Sequence, residues 1–271
     1  MNIINEVKKV LPRPIRNRLR PLYSLYARWN RRVVLDKQLV QDISEYFNCT
    51  CEETILMLKS SSKANNLFWH ALHPVTEEEI EQFYRITPFY VFDLAYWHMK
   101  KGQRKFRNEV LKTAGGDVLE YGGGIGDLCV RLAERGLNVT YGDVSGLTLE
   151  FAQWLFKKRG QSIKVIGLEK EEPCRQYDTI ICIDVIEHLT NPEAALQKMA
   201  ASLKNGGKLI VTNLQALEDF DLHPMHMRLE FDAEELLKSL GLNRTDKDWL
   251  WVKTEARKPV ELHPALRSGV R

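Results

Sequence analysis

Short apolar runs alternate with longer amphipathic segments from residue 117 onward. The amphipathic segments carry helical spacing, and the fourth apolar run is almost wholly apolar, as expected for a strand covered on both faces. This alternation predicts an α/β fold, a doubly wound and mostly parallel sheet with helices on both faces. The predicted strands are DVLEY (117–121), NVTYGDV (138–144), SIKVIG (162–167), YDTIICIDV (177–185) and KLIVTNL (208–214), with one or two closing strands in NRTDKDWLWVKT (243–254).

The part of the chain before this domain has helical spacing and no clear strand. The spacing predicts helices near 36–47, 51–60, 76–84 and 91–112. Thr76 begins the run TEEE, which is typical of a helix N-terminus because acidic residues there complement the helix dipole. We therefore predict four regions: an arm over 1–35, a helical lid over 36–112, the α/β domain over 113–255 and a tail over 256–271.

The N-terminal arm concentrates positive charge. Residues 1–34 contain nine Lys or Arg and one acidic residue, whereas the whole chain has a net charge of only +3. Apolar side chains recur every three or four residues, at Ile15, Leu19, Leu22, Tyr26, Trp29 and Val33. A basic helix with one such face suits an anionic membrane surface. The alternatives are that this face packs on the body, or, less favoured, that the arm binds nucleic acid.

Cysteine usage and hydropathy bear on the compartment. The chain has five cysteines, an odd number, and no apolar run long enough to span a bilayer. Its first residues lack the apolar core of a signal peptide. These features favour a reduced cytoplasmic protein, peripheral on the inner face of the membrane if the arm binds lipid.

A glycine-rich turn follows the first predicted strand, in the run VLEYGGGIG at residues 118–126. Glycines there let the backbone approach a nucleotide-containing ligand closely. A dinucleotide fingerprint would need a further glycine, but Asp127 and Cys129 stand at the two positions that could supply it. The pattern is instead E-x-G-x-G-x-G, with an acid just before the glycines.

This pattern resembles the first motif of the class I S-adenosylmethionine-dependent methyltransferases. The resemblance extends to Asp143 in YGDVSG, to DVIEHL at 184–189 and to LKNGGKLIVTN at 203–213, and it covers about residues 110–255. It implies a Rossmann-like domain that binds S-adenosylmethionine and releases S-adenosylhomocysteine.

The resemblance also implies roles for individual residues. Glu120 would face the positive end of the cofactor's methionine part, and Asp143 would accept hydrogen bonds from the ribose hydroxyls. Leu168 would pack on the adenine. Asp184 would lie beside the methionyl amine, with a strand-end turn as its alternative role. The complete predicted cofactor set is Glu120, Gly122, Gly124, Gly126, Asp143, Leu168 and Asp184.

Methyl transfer to oxygen calls for a base, and candidates follow the fourth and fifth strands, where open α/β sheets place their sites. Neutral histidine is the natural base near pH 7. We rank His226 first, followed by His188 and His223, with Glu187 beside them. A structural hydrogen-bonding role is the alternative for each histidine. The lid would supply the acceptor pocket, with packing as the alternative for its polar and aromatic residues: Tyr90, Asp93, Tyr96, Trp97 and His98.

A divalent metal is a further alternative. Asp184, Glu187, His188 and His226 resemble the acid and histidine set of small-RNA 2′-O-methyltransferases, which holds a metal. Some quinone-pathway O-methyltransferases carry a similar E-H-[VL] run. The same run also occurs in small-molecule methyltransferases without a metal, so we do not assign a metal site.

Together these features predict an enzyme that methylates a small-molecule acceptor, on oxygen, with a hydrophobic, lipid-linked or sugar-containing acceptor favoured. The alternatives are a metal-dependent RNA 2′-O-methyltransferase and a non-catalytic partner protein that binds the cofactor. A nicotinamide-dependent dehydrogenase is disfavoured by the failed fingerprint. The acceptor's identity and the oligomeric state do not follow from the sequence.

Overall fold

The structure is a computed structural model and describes residues 28–171, 173, 176–215 and 224–254. Before the first strand the helices are α1 (Lys37–Tyr46), α2 (Cys51–Leu72), α3 (Glu77–Ile86), α4 (Tyr90–His98) and α5 (Lys101–Thr113). The alternating part begins with β1 (Asp117–Tyr121), α6 (Asp127–Ala133), β2 (Asn138–Asp143), α7 (Leu147–Lys158), β3 (Lys164–Gly167) and β4 (Tyr177–Cys182). It continues with a 3-10 turn (Ile186–His188), α8 (Pro192–Ala201), β5 (Leu203–Val211), α9 (Ala233–Ser239), β6 (Leu242–Arg244) and β7 (Leu250–Lys253).

The strands form one seven-stranded sheet in the order β3-β2-β1-β4-β5-β7-β6. Strands β1 to β5 pair in parallel, while β7 runs antiparallel to β5 and β6 antiparallel to β7. The predicted α/β fold is thus confirmed. Because the strand order reverses between β1 and β4, the carboxyl ends of these strands flank a crevice, which is where such sheets bind ligands.

Helices α1, α2 and α3 start at polar side chains that cap them, as the sequence predicts for α3. Thr76 Oγ1 accepts a hydrogen bond from the Glu79 amide at 3.3 Å, and the Glu79 carboxylate accepts one from the Thr76 amide at 2.9 Å. Thr50 and Glu53 form the same capping box at the start of α2. Each box satisfies amide groups that the first helical turn leaves without partners.

Helix α2 is much longer than the predicted segment 51–60, because it continues to Leu72. The continuation is held by polar contacts, since the buried side chains of Ser61 and Asn65 donate hydrogen bonds to Asp93 on α4, at 3.4 and 3.1 Å. A search for apolar spacing cannot detect a helix whose buried face is polar.

The predicted helix 91–112 is two helices, α4 and α5, separated at Met99 and Lys100. The segment before α1 causes this break. Val33 forms an antiparallel β-bridge with Lys100, and the Val34 amide donates to the Met99 carbonyl at 3.0 Å. The predicted helical face of the arm therefore ends before Val33, which is extended. Its first four apolar positions, Ile15 to Tyr26, lie outside the described residues.

Strand β5 begins at Leu203, five residues before the predicted strand. Helix α8 ends at Ala201, just before these extra residues. Gly206 has φ +76°, and the pairing of β4 with β5 shifts register between Tyr177 and Thr179. The strand therefore starts with an irregular stretch that only glycine accommodates easily.

One apolar core joins the N-terminal helices to the sheet domain. Its buried residues include Ile43 and Val91 from the helices and Leu128 and Phe151 from the α/β part. Tyr46 of α1 packs edge-on against Phe151 of α7, with ring centroids 5.1 Å apart. We call α1 to α5 the cap, because they pack on the α/β part. The four-region boundaries proposed above stay predictions.

The described helices do not include one that combines the length and the apolar composition needed to cross a bilayer.

Gly122, the first residue after β1, provides a test of how tightly the turn is packed. It has φ +71°, and a Cβ there would lie 2.8 Å from Val185 Cγ1. Gly136 has a similar φ of +81° but open space around it. We expect Gly136→Ala to lower the free energy of unfolding by ~1–2 kcal/mol, through backbone strain alone. Gly122→Ala should lower it by ~2–5 kcal/mol, because overpacking adds to the strain.

Urea unfolding of both variants measures the difference. Equal losses would show that Val185 moves aside without cost, and that the turn is looser than the structure indicates.

Candidate functional site

The turn after β1 (residues 122–126, the glycine loop) is pinned to the end of β2. The amides of Gly122 and Gly123 donate to the Gly142 carbonyl at 2.8 and 3.1 Å. Gly122, Gly124 and Gly126 all have positive φ, from +54° to +73°, a conformation that other residues adopt only under strain. The glycines thus shape a turn whose backbone can lie close to a ligand.

Asp143 ends β2 beside this loop. Its carboxylate accepts hydrogen bonds from the amides of Gly124 and Val144, at 2.6 and 2.8 Å. Burial raises the pKa of Asp143 to about 6, and the two amide hydrogen bonds oppose this rise. A carboxylate has about four lone-pair positions, so Asp143 retains capacity to accept from ligand hydroxyls. This placement fits the predicted ribose contact.

Glu120 lies in β1 and is 4% exposed. Its carboxylate accepts a hydrogen bond from the Cys129 thiol at 2.8 Å. Burial raises the pKa of Glu120 to about 7, against the opposing charge of Arg107. Among the described residues no Lys or Arg forms an ion pair with it. A ligand cation nearby would favour the ionised form, so the site fits the positively charged cofactor that the sequence predicts.

Leu168 follows β3 next to Asp143. The Leu168 amide donates to the Asp143 carbonyl at 3.0 Å, and its partly buried side chain lies against Gly142. An apolar surface is therefore present beside the carboxylate, where the sequence analysis places the adenine.

The loop after β4 (residues 183–189, the β4 loop) holds Asp184 in a left-handed conformation, with φ +55°. Its carboxylate accepts hydrogen bonds from four side chains, listed by increasing distance: Trp97 (2.8 Å), Thr212 (3.0 Å), Asn213 (3.0 Å) and Gln103 (3.4 Å). Two of these donors belong to the cap. Asp184 thus connects three parts of the fold, and its predicted contact with the methionyl amine stays a prediction.

Asn213 was not singled out from the sequence, yet it bridges two acids. Its side-chain amide donates to Asp184 and, through a short hydrogen bond, to Glu187 Oε1. It also has φ +59°. Its position at the carboxyl end of β5 is the one sequence signal that could have identified it, since sites form at these strand ends.

Glu187 is 3% exposed, and among the described residues no group donates a hydrogen bond to its Oε2 atom. Burial, reinforced by the charge of Asp184, raises the pKa of Glu187 to about 8. A buried carboxyl oxygen without a donor is uncommon, and such atoms occur at ligand and catalytic sites.

The structure brings His188 and His226 together, with ring centroids 4.8 Å apart. His188 Nδ1 lies 3.0 Å from the Tyr84 hydroxyl, and the Met227 amide donates to the Glu187 carbonyl at 2.7 Å. The third predicted histidine, His223, lies outside the described residues. Tyr84 was missed as an individual residue, because nothing local relates it to a histidine far along the chain.

Glu187, His188 and His226 could also offer metal ligands. One ligand atom from each lies within 4.8 Å of the others. Three protein ligands of this kind suffice for an open metal site. Asp184, the fourth residue of the predicted set, is instead held by its four side-chain donors.

The cap covers the same edge of the sheet. Helix α3 reaches the β4 loop through Tyr84, and it accepts a short hydrogen bond at Glu77 from Thr190, the residue after that loop. At Arg85 its backbone lies so close to Gly146, after β2, that a Cβ on that glycine would be 2.7 Å from Arg85 Cα. Leu94 of α4 lies over Gly124. The cap thus lies over the crevice.

The cap residues proposed for the acceptor pocket separate into two groups. Tyr90 and Trp97 face the site, since Tyr90 packs 5.3 Å from the Tyr84 ring and Trp97 binds Asp184. Asp93 binds α2, and Tyr96 packs against the shared core. His98 binds Asp127 at 2.9 Å and lines a cavity of about 320 Å³ between α1, α5, α6 and α7. Asp93, Tyr96 and His98 therefore have the packing role that was the alternative to lining the acceptor pocket.

Comparison with known proteins agrees with this geometry. The sequence profile of a family described as a methyltransferase domain matches residues 96–254, more than half of the chain. A ubiquinone biosynthesis O-methyltransferase of Shewanella pealeana is 30% identical over 151 residues, covering 51% of this chain and 60% of the relative. The protein of the same name from Dechloromonas aromatica is 31% identical over 111 residues, covering 40% and 48%. The chain thus spans about half the length of these curated relatives.

A solved structure supports the fold. An O-methyltransferase family protein from Burkholderia thailandensis superposes with a TM-score of 0.55 at 12% identity, over 76% of this chain and 72% of that protein. At this identity the likeness concerns the architecture alone.

The raised pKa of Glu120 predicts a pH-dependent stability. In the folded protein Glu120 holds its proton up to about pH 7, whereas an unfolded glutamate releases it near 4.5. Its contribution to the free energy of unfolding is therefore fully present below about pH 4.5, and it is lost as the pH rises to about 7. Glu120→Gln removes this loss, so the variant should gain stability relative to wild type between pH 5 and 8, by up to ~3 kcal/mol.

Urea unfolding without cofactor at both pH values measures this gain. Glu134→Gln, at an exposed glutamate that ends α6, is the matched control. Its free energy of unfolding should differ from that of wild type by the same amount at both pH values. If the difference for Glu120→Gln were also independent of pH, the assignment of the pH dependence to Glu120 would be wrong.

Proposed function

The chain belongs to the class I S-adenosylmethionine-dependent methyltransferases, and on that premise we propose that it methylates an oxygen atom of a small-molecule acceptor. The observation that carries the proposal is the buried Glu187 oxygen without a donor, next to the His188–His226 pair at the carboxyl end of β4. These groups could remove a proton from a hydroxyl that lies beside the glycine loop.

The cofactor would be held by the residues around the glycine loop. Asp143 would accept from the ribose hydroxyls, and Glu120 would stabilise the positive charge of the methionine part. When bound, S-adenosylmethionine supplies a methyl group on a positively charged sulfur, a leaving group that needs no acid from the protein. Asp184, with four donors already on its carboxylate, would orient the β4 loop.

The protein's chemical task is then to orient the acceptor hydroxyl and receive its proton. His226 and His188 are the proposed bases, because a neutral imidazole takes up a proton near pH 7. Glu187, which holds its proton near pH 7, would donate a hydrogen bond to the acceptor from Oε2. The cap would exclude water from this edge, which strengthens each of these polar contacts.

The surroundings favour a neutral acceptor with a ring or another apolar part. Aromatic side chains of the cap, Tyr84, Tyr90 and Trp97, face the β4 loop. Within the described residues, none of the four carboxylates at this edge forms an ion pair with Lys or Arg: Glu120, Asp143, Asp184 and Glu187. An anionic group near the reacting oxygen would therefore find no cationic partner among the described side chains of this edge. The names of the curated relatives support a quinone-type or other hydrophobic, lipid-linked acceptor.

A second candidate function is metal-dependent methylation of an RNA 2′-hydroxyl, which the grouping of Glu187, His188 and His226 favours. A non-catalytic partner protein is the third. The three candidates differ in what they methylate and in their need for a metal.

Transfer of labelled methyl groups from S-adenosylmethionine to a panel of phenols, alcohols, amines and short RNAs tests the proposal. We expect labelled methyl ethers from the phenols, undiminished in excess chelator. Labelled RNA only, lost with chelator and restored by a divalent ion, would favour the second candidate. Transfer to amines alone would contradict oxygen as the acceptor, and binding without transfer would favour a partner protein.

The ribose assignment predicts the effect of changing Asp143. Asp143→Ala should weaken S-adenosylhomocysteine binding at least tenfold, because it leaves buried hydroxyls without acceptors. Isothermal titration measures the affinity. Asp178→Ala removes a carboxylate from the amino end of β4, away from the site, and should leave binding unchanged. An unaltered affinity in Asp143→Ala would remove the assignment.

A further inference from the structure

Tyr84 reaches the β4 loop from the cap, 104 residues away in sequence from its partner His188. Its helix, α3, is anchored by the neighbouring Phe83, which is fully buried and packs against the Phe68 and Trp69 rings of α2, with centroids 5.8 and 4.9 Å away. Phe83 is held on the inner side of α3. The next residue, Tyr84, is therefore directed toward the β4 loop. The Tyr84 hydroxyl is thus placed by packing.

His188 Nδ1 faces two oxygen atoms. The Tyr84 hydroxyl oxygen lies at 3.0 Å and the Met225 carbonyl oxygen at 3.3 Å. A phenol oxygen can donate or accept, but a carbonyl oxygen only accepts. If Nδ1 had no hydrogen, its lone pair would point toward the carbonyl lone pairs, which is repulsive. A hydrogen on Nδ1 allows both contacts.

We propose that the Met225 carbonyl keeps neutral His188 in the tautomer with its hydrogen on Nδ1, and that Tyr84 is a positioning residue that holds this nitrogen in place by accepting from the same hydrogen. In that tautomer the lone pair is on Nε2. The cap thus helps to hold the ring so that Nε2 is the nitrogen that can take up a proton. That this nitrogen serves as a base rests on the proposed function, whereas the tautomer itself does not.

The Met225 carbonyl oxygen is also held in place, but it lies farther from the His188 ring than the Tyr84 hydroxyl does. Met225 is 6% exposed, and the Met227 amide binds the Glu187 carbonyl, so the segment after β5 is attached to the β4 loop. Without the Tyr84 hydroxyl, the Nδ1 hydrogen would lose the nearer of these two contacts. The tautomer would persist, because the carbonyl still selects it, but the ring would be held less closely.

Nitrogen NMR of the full chain labelled at histidine tests the tautomer directly, because the two ring nitrogens differ strongly in shift when one carries the hydrogen. The chain has seven histidines, and His188→Gln identifies the signal by its loss. At about pH 8 with S-adenosylhomocysteine, we expect the Nδ1-protonated pattern for His188. The opposite pattern would overturn the proposal.

Tyr84→Phe then isolates the hydroxyl, since the ring contacts with Phe83 and Tyr90 are kept. The His188 Nδ1 signal should keep the protonated pattern but shift, because its hydrogen loses the Tyr84 oxygen as an acceptor. Tyr46→Phe, the same change at a cap residue that packs on α7, should leave the signal unchanged. An unshifted signal in Tyr84→Phe, with normal thermal unfolding, would show that the hydroxyl does not position His188.

Turnover gives a second readout when a phenol of the panel is methylated. Tyr84→Phe should lower kcat about three- to tenfold, the range expected for one lost hydrogen bond, with little change in KM. A rise in KM alone would mean that Tyr84 binds the acceptor instead. Because the NMR result needs no acceptor, failure of the tautomer and failure of methyl transfer are distinguishable.

Discussion

Acidic side chains lie buried at the carboxyl edge of the sheet, without cationic partners among the described residues. The arrangement of the whole site depends on how these side chains are held. Neutral donors hold them: the Cys129 thiol binds Glu120, and the Asn213 amide bridges Asp184 and Glu187. Burial in this setting raises the pKa of Glu120 to about 7 and that of Glu187 to about 8. Such an edge is suited to a positively charged ligand and unsuited to an anionic one.

This constraint explains why the cap and the sheet meet where they do. Trp97 binds the β4 loop at Asp184, and Tyr84 binds it at His188, so cap contacts lie on both sides of Glu187. The left-handed backbone at Asp184 and Asn213 persists because the surrounding hydrogen bonds compensate for its strain. The proposed acceptor contacts and the geometry of the β4 loop therefore depend on the same helices.

The parts of the site that sequence reasoning located are those governed by local chain geometry. The glycine loop and Asp143 follow from a strand, a turn and the next strand, which parallel α/β topology places side by side. Tyr84 and Asn213 could not be located, because their roles arise from contacts between distant segments. The length of α2 was missed for a related reason, since Ser61 and Asn65 are buried polar residues on a face where apolar ones were sought.

The shared core described above has a consequence for how proteins of this kind diversify. Ile43 and Val91 of the cap occupy the same packed cluster as Leu128 and Phe151 of the sheet domain. Close-packed interiors tolerate few independent changes. The cap is thus not a module that can be exchanged at will, and evolution toward a new acceptor must preserve the fit that also keeps the cofactor domain folded.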